Sequence, residues 1–310
     1  MDLRGLLTRI AAIAAPFAMV FALVVVVDPY DYFGWSKVIS KDLKLKCLYH
    51  DGRTMPFSNT LWKILRFKEQ PVENVLLGDS RLSHFDLPYL HQVSGQTYAN
   101  MGIPGGNYRT ISDLFAYTDS VAHLKQVLVQ VSFRGMNKGM SDWDIYSEPR
   151  MLMKNPFLYL TNRRVLEATL LNVRGTIAPN SVEYDVLPPD HWQQVLDMER
   201  ANAANFQLDT TEFQLLRNIA VRCRAHGAHL LFVEYPTHPE VQEIYAKAGL
   251  DPVMADYIKR LSAIAPTIDL DRPGLFPTDR SEWRDPLHLT TAAQHTVIDM
   301  VWGPKKQPVE

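Results

Sequence analysis

The chain has 310 residues, of which 46% are hydrophobic, with 32 basic and 34 acidic side chains, a net charge of −2 and a pI of about 6.6. That length holds one large or two small domains with a substantial core, and the near-neutral balance gives no electrostatic case for a nucleic-acid partner, which favours a basic face. The two cysteines, Cys47 and Cys223, lie far apart and have no zinc-like spacing with histidine; outside the cytoplasm they permit one disulfide at most.

Ile10 to Val27 carries no charge, follows Arg4 and Arg9, and precedes Asp28 and Asp31. Eighteen apolar residues are about the minimum for a transmembrane helix. The flanking charges predict a cytoplasmic N-terminus (residues 1–9), a single span (10–27) and an exported remainder. A cleaved signal peptide is the alternative, but the run ends in Val24 to Val27, a poor cleavage site. Residues 28–72 read as a juxtamembrane segment with interfacial aromatics (Tyr30, Tyr32, Trp35) and a basic cluster of Lys37, Lys41, Lys44 and Lys46 facing head groups or water.

Val75 to Leu77 is an apolar run cut off by Gly78-Asp79-Ser80, and helical spacing resumes with Leu82, Phe85, Leu90 and Val93. This predicts a buried strand, a tight turn and a helix over 81–94 stopped by Gly95. A serine there sits at a strand's carboxyl end, where open α/β sheets bind ligands. Gly-Asp-Ser alone fits ordinary turn and N-cap chemistry equally well. A strand at Thr97–Asn100 leads into a loop with Gly105-Gly106, where backbone N–H groups can approach a ligand without a Cβ in the way.

A helix through Ile111 and Phe115 and a strand from Gln126 to Phe133 follow. Residues 138 to about 208, with apolar, aromatic and arginine-rich helices, read as a helical insertion: a packed peripheral layer, or a cap that shapes a groove or docks on a membrane partner. Asp209-Thr210-Thr211-Glu212 resembles a capping box and opens a helix ending near Gly227. Strands at Ala228–Glu234 and Thr267–Leu270, intervening helices, and a final helix from Thr290 to Trp302 complete the alternation, leaving 303–310 as a tail. Repeated βα units argue for a parallel sheet with helices on both faces.

Near the end stands Arg284-Asp285-Pro286-Leu287-His288. A nucleophilic serine needs a base and the base an orienting carboxylate; Asp285 and His288, three apart, are suited to both roles. The three blocks, Gly78-Asp79-Ser80, Asn100 to Asn107, and Asp285-x-x-His288, together resemble the SGNH superfamily of GDSL-type hydrolases and acyltransferases over about residues 72 to 302. The resemblance implies a three-layer α/β/α sandwich (73–302) with a catalytic triad of Ser80, His288 and Asp285. The oxyanion donors it implies are Ser80 and Gly105, and it implies no metal or organic cofactor. The family's third donor, an Asn after the third-block strand, is replaced here by Arg134; Asn137 and Asn107 are the nearby amides. Arg81 stands where the family has Leu, either bracing the turn or binding an anionic substrate group.

With the anchor added, the chain resembles membrane-bound relatives that acylate cell-surface polysaccharides. That implies an O-acyltransferase, acetyl transfer foremost, in the inner membrane with its catalytic domain in the periplasm. Several such relatives work beside a multi-pass membrane O-acyltransferase that supplies acyl groups. A carbohydrate esterase and a non-catalytic envelope scaffold are the alternatives.

Overall fold

The computed structural model describes residues 3–50, 52–83, 85–138, 140, 143–182 and 188–303. Along the chain the elements are α1 (Leu3–Val27), α2 (Lys41–Leu48), α3 (Met55–Glu69), β1 (Asn74–Leu77), α4 (Ser80–Ser83), α5 (Leu87–Ser94), β2 (Ala99–Asn100), α6 (Tyr108–Val121) and β3 (Gln126–Val131). A helical run follows: α7 (Ser147–Lys154), α8 (Pro156–Thr161), α9 (Arg163–Ile177) and α10 (His191–Ala204). Alternation returns with α11 (Glu212–His226), β4 (His229–Glu234), α12 (Pro239–Lys247), α13 (Asp251–Ser262) and β5 (Thr267–Asp269). The chain closes with β6 (Trp283–Asp285), β7 (His288–Leu289) and α14 (Thr291–Trp302). By its contacts it divides into two compact units, Met1–Arg66 with Tyr146–Val186, and Phe67–Ile145 with Leu187–Glu310.

In the first unit α1 is long and apolar enough to cross a membrane, and at 1.5 Å per residue it extends about 37 Å. Only its end is packed: Val24 and Val27 are buried, and α8 and α9 lie against it. Asp28 ends the helix in the left-handed region (φ 44°), a conformation that Asp tolerates better than most residues. Its carboxylate accepts the N–H groups of Tyr32, Phe33 and Gly34 and the hydroxyl of Tyr159 in α8. The exit from α1 is thus a folded knot.

Residues 28–72, expected as a plain juxtamembrane segment, contain α2 and α3. Lys44, expected in a solvated basic cluster, is 2% exposed and pairs with Asp31 at 3.0 Å, as Arg66 does. The expected insertion does not stay together: α7, α8 and α9 belong with the N-terminal segment, and α10 with the sheet.

The second unit holds a five-stranded, wholly parallel sheet in the order β2-β1-β3-β4-β5. Helices α6 and α11 pack together over β1 and β4. On the other face α5 and α14 pack together, their Leu90 and Val297 meeting Leu76, Leu128 and Val233. This is the three-layer α/β/α arrangement. Both faces are covered, so the strands read as apolar runs instead of alternating patterns. Each buried Val or Leu in them contributes about 1.5–3 kcal/mol.

Two local expectations are corrected, and one open question is answered. The single helix over 81–94 is two, because Asp86 caps Tyr89 N–H at 3.0 Å and Pro88 fits only a helix's first turn. At 209–212 the Asp209 carboxylate accepts the Thr211 N–H at 2.8 Å, a turn two residues long, and Thr211, the residue before α11, makes no side-chain cap. Cys47 and Cys223 are free and buried in different units, so the permitted disulfide does not form. The tail beyond Gly303 lies outside the described residues.

Asp28→Ala removes the acceptor for three N–H groups and the buried Tyr159 hydroxyl. At about 1–3 kcal/mol for each buried group left unsatisfied, this variant is expected to unfold the first unit well before the parent in thermal melts. Unchanged melting would show that water replaces the carboxylate.

Candidate active site

The strand order reverses between β1 and β3, so the crevice beyond their carboxyl ends is the place where an open parallel sheet receives a ligand. Ser80 lies there, two residues past β1's turn at Gly78, as the first residue of α4. Gly78 is required by space: a Cβ at this position would lie 2.4 Å from Gln130 Oε1 and 2.8 Å from Leu82 Cδ1. Gln130, buried in β3 between Val129 and Val131, accepts the Asp79 N–H at 2.8 Å and donates to Asp79 Oδ2 at 3.3 Å.

Asp285 and His288 do not enter a helix directly. They are paired residues of the β6–β7 hairpin, whose two-residue connection is Pro286-Leu287. A hairpin of this length sets the two side chains side by side. Both Asp285 oxygens lie 2.8 Å from His288 Nδ1, and Oδ1 also accepts the N–H groups of Leu287 and His288. A carboxylate only accepts, so Nδ1 carries the ring proton and Nε2 is left with its lone pair. That lone pair faces Ser80 Oγ at 2.8 Å. Burial opposes the charge on Asp285, but the His288 ring and the Leu287 N–H outweigh it and hold the carboxyl below the usual range.

The remaining expected site residues separate into groups. The Gly105 N–H, with Gly105 at φ 71°, and the Ser80 N–H make no intramolecular hydrogen bond among the described residues. Gly105 lines a depression with Asp79, Ser132 and Arg134, three residues that also line the depression containing Ser80 and His288. Asn107 is the N-cap of α6: its oxygen accepts the Thr110 N–H and hydroxyl, and its amide donates to Trp143 O. Asn137 is buried, bonded to Gln207 N–H and Asn202 O, and is absent from the lining of either depression. Both amides are therefore committed to holding backbone.

Arg134 does line the site, but its Nε donates to Glu199 Oε1 at 2.6 Å, and Glu199 is wholly buried on α10. Arg81 is 6% exposed and turned onto Asp79: Nη2 reaches Oδ2 at 2.9 Å and Nε reaches Oδ1 at 3.1 Å. Its Nη1 donates to Tyr235 O at 3.4 Å, and these contacts have the geometry of the bracing reading, while Arg81 also lines the depression with Ser80 and His288. The Asp79 carboxyl is depressed because Arg81 outweighs the effect of burial.

Three further residues at the site carried no role in the sequence. Glu234, at the carboxyl end of β4, is buried, accepts the Phe133 N–H at 3.0 Å and the Tyr257 hydroxyl at 2.5 Å, and is pushed up to about 8 by burial despite nearby Arg81. Gln130 and Glu234 share one signal, a polar residue interrupting or ending an apolar strand run. His191, the first residue of α10, has Nε2 3.6 Å from Asp285 Oδ2 and gave no signal.

No protein-family model matches the sequence, and a search of curated proteins finds no match. Solved structures with partial backbone likeness include a GDSL-like lipase from Bacteroides thetaiotaomicron VPI-5482, at 10% identity and TM-score 0.42, covering 78% of this chain and 95% of that one. A second, provisionally assigned as an acylhydrolase, comes from Bacteroides fragilis NCTC 9343, at 10% identity and TM-score 0.41 over 76% and 90% of the two chains. A third, from Streptococcus pneumonia and provisionally assigned as a platelet activating factor, has 12% identity and TM-score 0.37 over 80% and 92%. At these scores the backbones overlap loosely, and the site stands on its own geometry.

Two outcomes are expected. Gly78→Ala drives a methyl into Gln130 and Leu82, costing about 1–3 kcal/mol as overpacking does; acylation of Ser80 by an ester probe should fall with it, and normal labelling would show that the turn adapts. Glu234 holds its proton more tightly folded (about 8) than at its ordinary 4.5. Its stabilising contribution is therefore complete below 4.5 and is lost as pH rises through about 8. Melting temperature should fall over that window, and Glu234→Gln should flatten the fall; parallel curves would show that Glu234 does not titrate there.

Proposed function

We propose that this chain is an SGNH-type serine acyl-transfer enzyme, anchored in a membrane by α1, that moves an acetyl or related acyl group onto a cell-envelope or secreted polysaccharide. The observation that carries the acyl-transfer reading is the unbroken hydrogen-bond chain from Ser80 Oγ through the His288 ring to Asp285. The uncharged run Ile10 to Val27 after Arg4 and Arg9 supports an export-side catalytic domain with its N-terminus in the cytoplasm.

In this mechanism Ser80 Oγ attacks the carbonyl carbon of an acyl donor while His288 Nε2 takes the hydroxyl proton. Asp285 keeps the ring in the correct tautomer and stabilises the imidazolium. The oxyanion receives the Ser80 and Gly105 N–H groups; one such donor is typically worth about 3 kcal/mol of barrier. Collapse breaks the bond to the leaving oxygen, which takes the proton back from His288, and leaves acyl-Ser80. A sugar hydroxyl then gives its proton to His288 and attacks the acyl carbon; the bond to Ser80 Oγ breaks, and that oxygen takes the proton back from His288. The membrane setting suits delivery of acyl groups by a multi-pass membrane partner.

Incubating the protein with a chromogenic acetyl ester and following Ser80 by mass spectrometry tests the reading. An adduct of one acetyl on Ser80 is expected, absent in Ser80→Ala and at least about a hundredfold slower to form in His288→Ala, as loss of a general base implies. Addition of an oligosaccharide should then divert acetyl from water to sugar. Hydrolysis unaffected by any sugar would assign an esterase, and no adduct from any ester would leave a non-catalytic scaffold.

A further inference from the structure

The first unit leaves large apolar side chains exposed on the elements that flank the end of α1. Trp35 and Val38 are each 68% exposed, Phe157 is 65%, Leu170 53% and Ile177 80%. Leu158 is also exposed. Single exposed apolar residues are ordinary, but these are grouped by the packing. Helices α8 and α9, which carry four of them, lie against α1. Trp35 is tied to α8 through rings: it stacks on Phe33 at 5.5 Å, and Phe33 meets Tyr159 edge-on at 5.8 Å. The Asp28 carboxylate folds residues 32–34 back onto the helix end, so Trp35 stays close to where α1 emerges.

On α9 the exposed positions Arg163, Glu167, Leu170, Arg174 and Ile177 follow a 4-3-4-3 spacing, which places them on one face. The face combines two basic and two apolar side chains with one acid. Glu167 is the one acid in it and is held by Arg163 at 2.7 Å. Lys154 stands exposed as the last residue of α7. Apolar side chains rimmed by Arg and Lys, with Trp at the edge, match the boundary between acyl chains and anionic head groups. A soluble partner would not account for the continuity of this surface with α1, whose own residues from Leu3 to Val20 are exposed almost throughout.

We propose that Trp35, Val38, Phe157, Leu158, Leu170 and Ile177 form a second membrane contact that rests in the head-group boundary of the bilayer spanned by α1. The contact makes the first unit a platform on the lipid surface. This proposal rests on α1 being a retained span, and the experiment separates the two.

The full chain is reconstituted in phosphatidylcholine–phosphatidylglycerol vesicles with brominated acyl chains, carrying one environment-sensitive fluorophore on Cys introduced as Phe157→Cys or Ile177→Cys. Phe17→Cys reports the span, and Lys259→Cys on α13 reports water. Cys47 and Cys223 are buried, and burial pushes their thiols up to about 11 and about 12, so they react slowly. Labels at 157 and 177 are expected to be quenched by bromolipid at least about threefold more than the label at 259, and Arg163→Glu with Arg174→Glu should reduce that quenching on anionic vesicles. If 17 is quenched while 157 and 177 match 259, the platform is wrong and the anchor stands. Blue-shifted emission at 157 and 177 without bromolipid quenching means that protein covers the face, and also overturns the proposal. If 17 itself reads water, the anchor fails and the platform falls with it.

Discussion

The site depends on how Asp79 is held. Its N–H is taken by the Gln130 side chain and its carboxylate by Arg81. Those two contacts fix the turn between β1 and α4 and therefore the direction of the next side chain, Ser80. Gln130 comes from the neighbouring strand β3, in register with β1 through Leu77 and Val129. Ser80 is thus positioned by sheet pairing and by a charge pair within the turn. Buried ion pairs are weak sources of net stability, because desolvation offsets attraction. Here the pair is better understood as setting geometry.

The same pattern recurs across the crevice. Arg134 is met by the buried Glu199, which also accepts the Tyr245 hydroxyl at 2.6 Å. Glu234 is raised by burial and so stays protonated over a wider range than an ordinary carboxyl. Arg81 and Arg134 thus each meet an acid inside the fold, Asp79 and Glu199. Arg134, in the place of a side-chain amide donor, presents a cation whose Nε is already committed; the backbone N–H groups of Ser80 and Gly105 are the uncommitted donors.

The first unit follows a different logic. Its centre is the Asp28 carboxylate with Tyr32, Tyr159 and the backbone it gathers, and its outer surface is apolar where α8 and α9 flank α1. Asp31 adds a second knot with Lys44 and Arg66. A helix end tied at this many points transmits its orientation to the helices packed on it.

The local pattern of the sequence determined the parallel sheet, the apolar N-terminal helix, the turn at Gly78-Asp79-Ser80 and the pairing of Asp285 with His288. Those features depend on periodicity, on the special backbone freedom of glycine, or on residues within a few positions of one another. Tertiary structure decided the rest. Asn107 and Asn137 looked available as donors, yet each is committed to backbone groups that only the folded chain brings near. Arg81 stood open to several partners, and the fold supplies Asp79 and Tyr235 O. Lys44 looked solvated, but Asp31 draws it inside. His191 reaches Asp285 from 94 residues away in the chain. Sequence spacing reports what a side chain can do; which partner it does it with is fixed by burial and packing between distant segments, and those costs are not written in any short window of residues.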